Sequence, residues 1–186
     1  WDQQRYTIDV NGYANQQGNL LYRVNAAYEN SNSFRDFGYL ERTFVSPALT
    51  WVIDSDTSLT WESEFHADRR RGDRGIPAAG ANGALVGYPT SALPFPPNTY
   101  VGEPANDFQY YEDYRTALFL NHRFNDTWSM NVMGSSLFYE FPGSSTYGAG
   151  AVGGTNIIRG RSDSTDREQS HSLIANPVSY THLRAH

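Results

Sequence analysis

Apolar and polar residues alternate with a period of two along most of this 186-residue chain, which predicts an all-β fold: an antiparallel transmembrane β-barrel wall, present as a fragment. Alternation alone fits a soluble sandwich equally well, so two further observations carry the membrane reading. The alternating runs are about 9 to 12 residues long, the length a tilted strand needs to cross a bilayer. Their connections alternate between tight turns and long loops, the asymmetry of an outer-membrane barrel.

In chain order, Tyr6, Ile8 and Val10 alternate with Arg5, Thr7, Asp9 and Asn11 in the first strand. Leu20, Tyr22, Val24, Ala26 and Tyr28 alternate with Leu21, Arg23, Asn25, Ala27 and Glu29 in the second. The third sets Val45, Pro47, Leu49 and Trp51 against Phe44, Ser46, Ala48 and Thr50. The fourth is the clearest, with Leu59, Trp61, Ser63, Phe65 and Ala67 against Thr60, Glu62, Glu64, His66 and Asp68. A fifth has Thr116, Leu118 and Leu120 opposite Arg115, Ala117, Phe119 and Asn121. The sixth has Met130, Val132, Gly134, Ser136 and Phe138 opposite Asn131, Met133, Ser135 and Leu137, and 168–176 is a less regular seventh. The first face of each strand is free of charge, as a lipid-facing surface requires, because an Arg there costs about 2–4 kcal/mol at the midplane.

Tight turns are expected at 15–19, 54–57 and 125–127, and looser connections at 30–40, 69–110 and 142–167. Trp51, Trp61 and Trp128 lie close to the tight turns with outward parity, where an interfacial aromatic girdle belongs. Pro47 lacks the N–H that a ladder needs, so a bulge or irregularity near one rim is expected there. The 69–110 loop is rich in Gly and Pro, and a loop of that length points to binding.

Composition excludes several classes. With 14 basic residues, all Arg, against 20 acidic ones, the net charge of -6 argues against a nucleic-acid partner. The absence of Cys removes disulfides, thiolate metal sites and a Cys nucleophile. No run approaches the roughly 20 apolar residues of a membrane helix. The chain opens on Trp1 without a signal-peptide pattern, so it reads as a piece of a longer protein. Residues 177–186 look like a translated sequencing adapter, which leaves 1–176 as natural sequence and gives His182 and His186 no role.

Several segments resemble a known family. Asp73-Arg74-Gly75-Ile76-Pro77, Leu93-Pro94 and Gly102-Glu103-Pro104-Ala105-Asn106-Asp107 are similar to the early barrel of TonB-dependent ferric-siderophore receptors. So are Ser33-Phe34-Arg35-Asp36, Val45-Ser46-Pro47-Ala48-Leu49-Thr50-Trp51 and Asp56-Thr57-Ser58-Leu59-Thr60. His122-Arg123-Phe124-Asn125-Asp126-Thr127-Trp128 resembles the periplasmic hairpin that follows, and the likeness extends over nearly all of 1–176. The resemblance implies an outer-membrane receptor, not an enzyme, with this chain supplying six or seven of about 22 strands around a plug absent from the sequence. It implies a ferric siderophore as transported ligand, no covalently bound cofactor, and coupling to TonB-ExbB-ExbD through the plug. Outer-membrane lipid and lipopolysaccharide would surround the wall, and 69–110 would be extracellular.

For ligand contacts, Arg69, Arg71 and Arg74 are candidates, grouped with Arg70, Asp68 and Asp73 at the loop root, because guanidinium forks match carboxylate and phosphate. A solvated network holding the loop root explains the same cluster, and Arg71-Gly72-Asp73 is a chance adhesion tripeptide. Tyr88, Phe95, Tyr100, Phe108 and Tyr110, with Tyr111, could wall a pocket for a chelate, or pack the loop on itself. His66 among Glu62, Glu64 and Asp68 has the spacing of a metal or acid/base site, but water-facing lumen charges account for it, so no metal or catalytic residue is expected. The alternatives to a siderophore receptor are a passive porin-like channel or adhesin, and a soluble carbohydrate-active β-protein using Glu62 and Glu64.

Overall fold

The computed structural model describes residues 2–76, 96–152 and 156–179. Seven strands form one sheet in the order β1-β2-β3-β4-β5-β6-β7, each antiparallel to its sequence neighbours. They are β1 Gln3–Tyr13, β2 Leu20–Asn32, β3 Tyr39–Val52, β4 Thr57–Arg70, β5 Phe108–Arg123, β6 Trp128–Val152 and β7 Asn156–Ser179. The chain is all-β among the described residues, as the alternation predicts.

Register gathers the apolar files onto one face. Ile8 faces Ala26, Ala26 faces Val45, Val45 faces Phe65, Phe65 faces Tyr114 and Tyr114 faces Phe138. Two rows nearer the tight turns, Tyr22, Leu49, Trp61, Leu118 and Gly134 are joined in the same way. Between the Leu59 row and the first charged row, that of Ala67 and Glu112, lie eight residue steps of β4. They amount to about 27 Å of strand, or about 20 Å of height at a tilt near 40°, close to the apolar band of an outer-membrane barrel.

Nothing in the described residues covers this face. Among the described residues the buried apolar side chains are Ala67 and Val101, whereas Ile8, Leu118 and Leu173 are 56, 49 and 79% exposed. A sheet in water buries such a face under a second layer, whereas the wall of a membrane barrel leaves it to lipid. Hydroxyls on the same face are satisfied from within: Ser63 donates to the Arg115 carbonyl at 2.9 Å, and Thr116 accepts from Trp61 Nε1 at 2.9 Å. That arrangement suits hydrocarbon, where water cannot pair a stray polar group.

Two expectations change. Pro47 sits mid-strand with no bulge: the β3–β4 register is identical on either side of it, and pairing is interrupted only between Val45↔Phe65 and Ala48↔Glu62. The missing N–H explains a gap in a ladder that keeps its phase. The loose connection expected at 142–167 is instead a hairpin extension, because β6 and β7 have 25 and 24 residues and stay paired to Val152↔Asn156. At about 80 Å, β6 far exceeds a bilayer crossing. β7 also continues past Asn176, pairing Pro177 with Met130 and Ser179 with Trp128.

Candidate functional site

The face opposite the apolar band is an ordered array of charges. Arg5, Glu29, Arg42 and Asp68 stand directly opposite one another across β1 to β4, alternating in sign along one row. Arg5 pairs with Glu29 at 2.7 Å and Arg42 with Asp68 at 2.7 Å, while Gln3 adds a bond to Glu29 at 2.9 Å. In the next row His66 Nδ1 lies 3.3 Å from Asp113, whose other oxygen meets Arg115 Nε at 3.1 Å. Asp113 is 2% exposed, so removing Arg115 would leave a costly buried charge. Cross-strand pairing of opposite charges stabilises a register as apolar pairs do on the other face.

Beside these pairs lies a shelf of rings. Tyr111, opposite Asp68, packs against His66 at 5.4 Å, Tyr139 at 5.7 Å and Phe141 at 6.2 Å between ring centroids. A neighbouring cavity of about 370 Å³ is lined by Arg5, Glu29, Arg42, Phe44, Glu64 and His66. The shelf and the cavity belong to the half of the inner face nearest the long connections. Among the described residues no group of three metal-ligating side chains converges, and His66 is engaged by Asp113 and Tyr111.

The long-loop end is held by Asp107, which is 1% exposed. Its carboxylate accepts from Tyr100 Oη at 2.7 Å, from the Glu103 N–H at 2.6 Å and from Thr146 Oγ1 at 2.8 Å. Burial pushes the Asp107 carboxyl up, but these donors outweigh it and hold the group below its ordinary range. Burial likewise pushes the Tyr100 phenol up, and the bond to Asp107 adds to the rise. Gly102 is obligatory here, since a Cβ would strike both Asp107 and Tyr100. Residues 96–107 form a strap over this end of the sheet, and Arg159 ties it to β7 through the Gly102 carbonyl at 3.0 Å. A second tie joins it to the β2–β3 tip, where the Asp36 N–H donates to the Asn98 carbonyl at 2.8 Å.

The candidate arginines have three different employments. Arg69 shares the outer face with Glu112, 3.9 Å away, and lies over the Tyr110 ring at 5.5 Å. Arg71 donates to the carbonyls of Phe37, Pro104 and Asp107 at 3.1, 2.6 and 2.7 Å, so its fork is spent on the strap. Arg74 donates to Ser145 at 2.9 Å and lies over the Tyr147 ring, while Asp73 pairs with Arg35 at 2.9 Å. Phe108 packs on Tyr110 at 5.0 Å, Tyr100 is locked to Asp107, and Tyr88 and Phe95 lie outside the described residues. The sequence reading missed Asp113, Tyr139 and Phe141, although the period-two parity of β5 and β6 puts all three on the charged face.

At the opposite end the turns are tight. Asp56 pairs with Arg123 at 2.6 Å, and Asn125 Oδ1 accepts the N–H groups of Thr127 and Trp128, each at 2.9 Å. Trp51 and Trp128 stand near these turns, 46 and 50% exposed, and Trp61 lies one row above Trp51 on the same face.

No protein-family model matches the chain. It is 35% identical over 132 residues to the metal-pseudopaline receptor CntO of Pseudomonas aeruginosa, a match covering 71% of this chain and 17% of that protein. The ferripyoverdine receptor of the Pseudomonas aeruginosa outer membrane superposes with a TM-score of 0.81 at 19% identity, over 95% of this chain and 23% of that one. The ferric-catecholate import receptor Fiu of Escherichia coli superposes at 0.75 with 18% identity, over 96% and 27%. The chain therefore spans under a fifth of the length of its curated relative and about a quarter of each solved structure. Register, faces and relatives agree: this chain is a stretch of outer-membrane β-barrel wall with the fold of the TonB-dependent siderophore receptors.

Proposed function

We propose that the chain is part of the wall of an energy-coupled importer of metal chelates, ferric siderophores among them, and that it acts in transport and not catalysis. The observation that carries this reading is the 35% identity to a metal-chelate receptor, running through a wall whose charged face bears a ring shelf near its long loops. In such a wall the apolar band faces lipid and the ion-pair rows line a water-filled lumen. The strap held by Asp107 fixes the root of an extracellular loop beside the shelf. TonB-ExbB-ExbD would act through a plug outside this chain, and lipopolysaccharide would meet the outer rim at Arg69. Trp51, Trp61 and Trp128 would form the periplasmic girdle. The same reading keeps 1–176 as receptor and 177–186 as a foreign tail, on the likeness of that tail to adapter sequence.

Metal uptake by cells producing the receptor that contains this chain tests the proposal. Uptake of the chelated metal should stop when the proton gradient of the inner membrane is collapsed. Uptake that continues unchanged would mark a passive channel.

A further inference from the structure

We propose that Arg70 takes the anionic group of the transported chelate at the mouth of the lumen, and that this group is a carboxylate; the proposal rests on the metal-chelate reading above. Arg70 is set apart from the other arginines by its lack of a partner. Every other arginine of the described residues has a side-chain hydrogen bond or ion pair in the sheet or its loops. Arg70 alone has none, and it is exposed.

Its position suits a ligand arriving from outside. Arg70 has the parity of Asp68 and His66, so it belongs to the inner face, whereas Arg69 belongs to the outer one. It stands opposite Leu40 and Gln109, one row beyond the Asp68–Tyr111 pair, so the ring shelf begins in the next row down. The row below is self-neutralised, with Arg5 on Glu29 and Arg42 on Asp68, so it offers an anion no spare cation. Deeper still, Glu62 and Glu64 make no side-chain hydrogen bond or ion pair among the described residues, and Arg115, opposite Glu64, is drawn to Asp113, so these two carboxylates would repel an anion. Glu64 is six residues from Arg70, about 20 Å along the strand. An anion is thus attracted at the mouth and discouraged beyond it. One unpaired guanidinium offers a fork that fits the two oxygens of one carboxylate, with the chelate body resting on the rings.

The full receptor in detergent would be titrated with radiolabelled ferric citrate, anionic ferric tris-catecholate, which has no carboxylate, and uncharged ferric acetohydroxamate, each at two salt concentrations. Ferric citrate should bind best, and its affinity should fall with salt. Arg70→Gln should weaken that binding about tenfold to hundredfold and flatten the salt dependence. Arg70→Lys should retain the salt dependence with part of the affinity, and Arg69→Gln should match wild type. Because the Arg70 side chain bonds nothing in the sheet, Arg70→Gln should keep the heat-modifiable gel mobility of the folded barrel. Wild-type affinity in Arg70→Gln, or a preference of wild type for the catecholate or the acetohydroxamate chelate, would overturn the proposal. A folded wild-type receptor that binds none of the three chelates would instead overturn the metal-chelate reading itself.

Discussion

Asp107 shows how little the chemical type of a residue says about its work. In the sequence it closes a motif in a loop expected to bind ligand, yet it is a buried anchor with three donors on its carboxylate. Asp107→Asn would turn one acceptor into a donor facing other donors, at a cost of about 1–3 kcal/mol to the strap. Amide exchange at Glu103, whose N–H bonds the carboxylate, should quicken while the strand amides keep their protection. The pH dependence follows from the two shifts. Asp107 titrates below its ordinary value, so its contribution is intact above about pH 4 and is lost as pH falls through the lowered value. Tyr100 titrates above its ordinary value, so its contribution is intact below about pH 10 and is lost as pH rises further. Exchange at Glu103 followed against pH should therefore show a plateau between these limits. The arginines were no easier to sort from sequence: Arg69, Arg70, Arg71 and Arg74 look alike until register and partners separate an outer pair, a free inner cation, a strut and a hairpin tie.

At the scale of the strand, alternation was legible wherever the two faces meet different solvents. β4 carries Trp61 and Phe65 against Glu62 and Glu64, and its pairing places each set as the pattern implied. Beyond Phe138 the pattern fades into Gly, Ser and Thr, because outside a bilayer neither face of a hairpin needs to be apolar. Backbone pairing then carries the structure, a signal that side-chain polarity does not contain. Pro47 shows the converse, where a correct warning about a missing donor overstated the damage. Two neighbouring substitutions on β5 test the faces. Leu118→Arg should lower the unfolding free energy of the receptor in lipid by about 2–4 kcal/mol, whereas Ala117→Arg, on the water-filled side, should cost far less. Denaturant titration of both variants in vesicles makes the comparison. The girdle can be tested separately. Lipids brominated near the headgroup should quench Trp51 and Trp128 more strongly than lipids brominated near the chain ends.

For the molecule as a whole, the sheet is a single layer whose apolar face has no protein cover among the described residues. Its first and last strands, β1 and β7, are free edges in the described structure. Such edges invite pairing with further strands or with other chains. The central claim is that one face meets lipid and the other water, and cysteine scanning of this stretch, which has no Cys of its own, measures it directly. Single cysteines placed in turn from residue 59 to residue 67, spin-labelled in the full receptor in bilayers, would report collision with oxygen and with a water-soluble nickel complex. The account predicts a strict period of two: labels at Leu59, Trp61 and Phe65 favour oxygen, and labels at Thr60, Glu62, Glu64 and His66 favour nickel. Equal accessibility of the two sets, or their reversal, would contradict it.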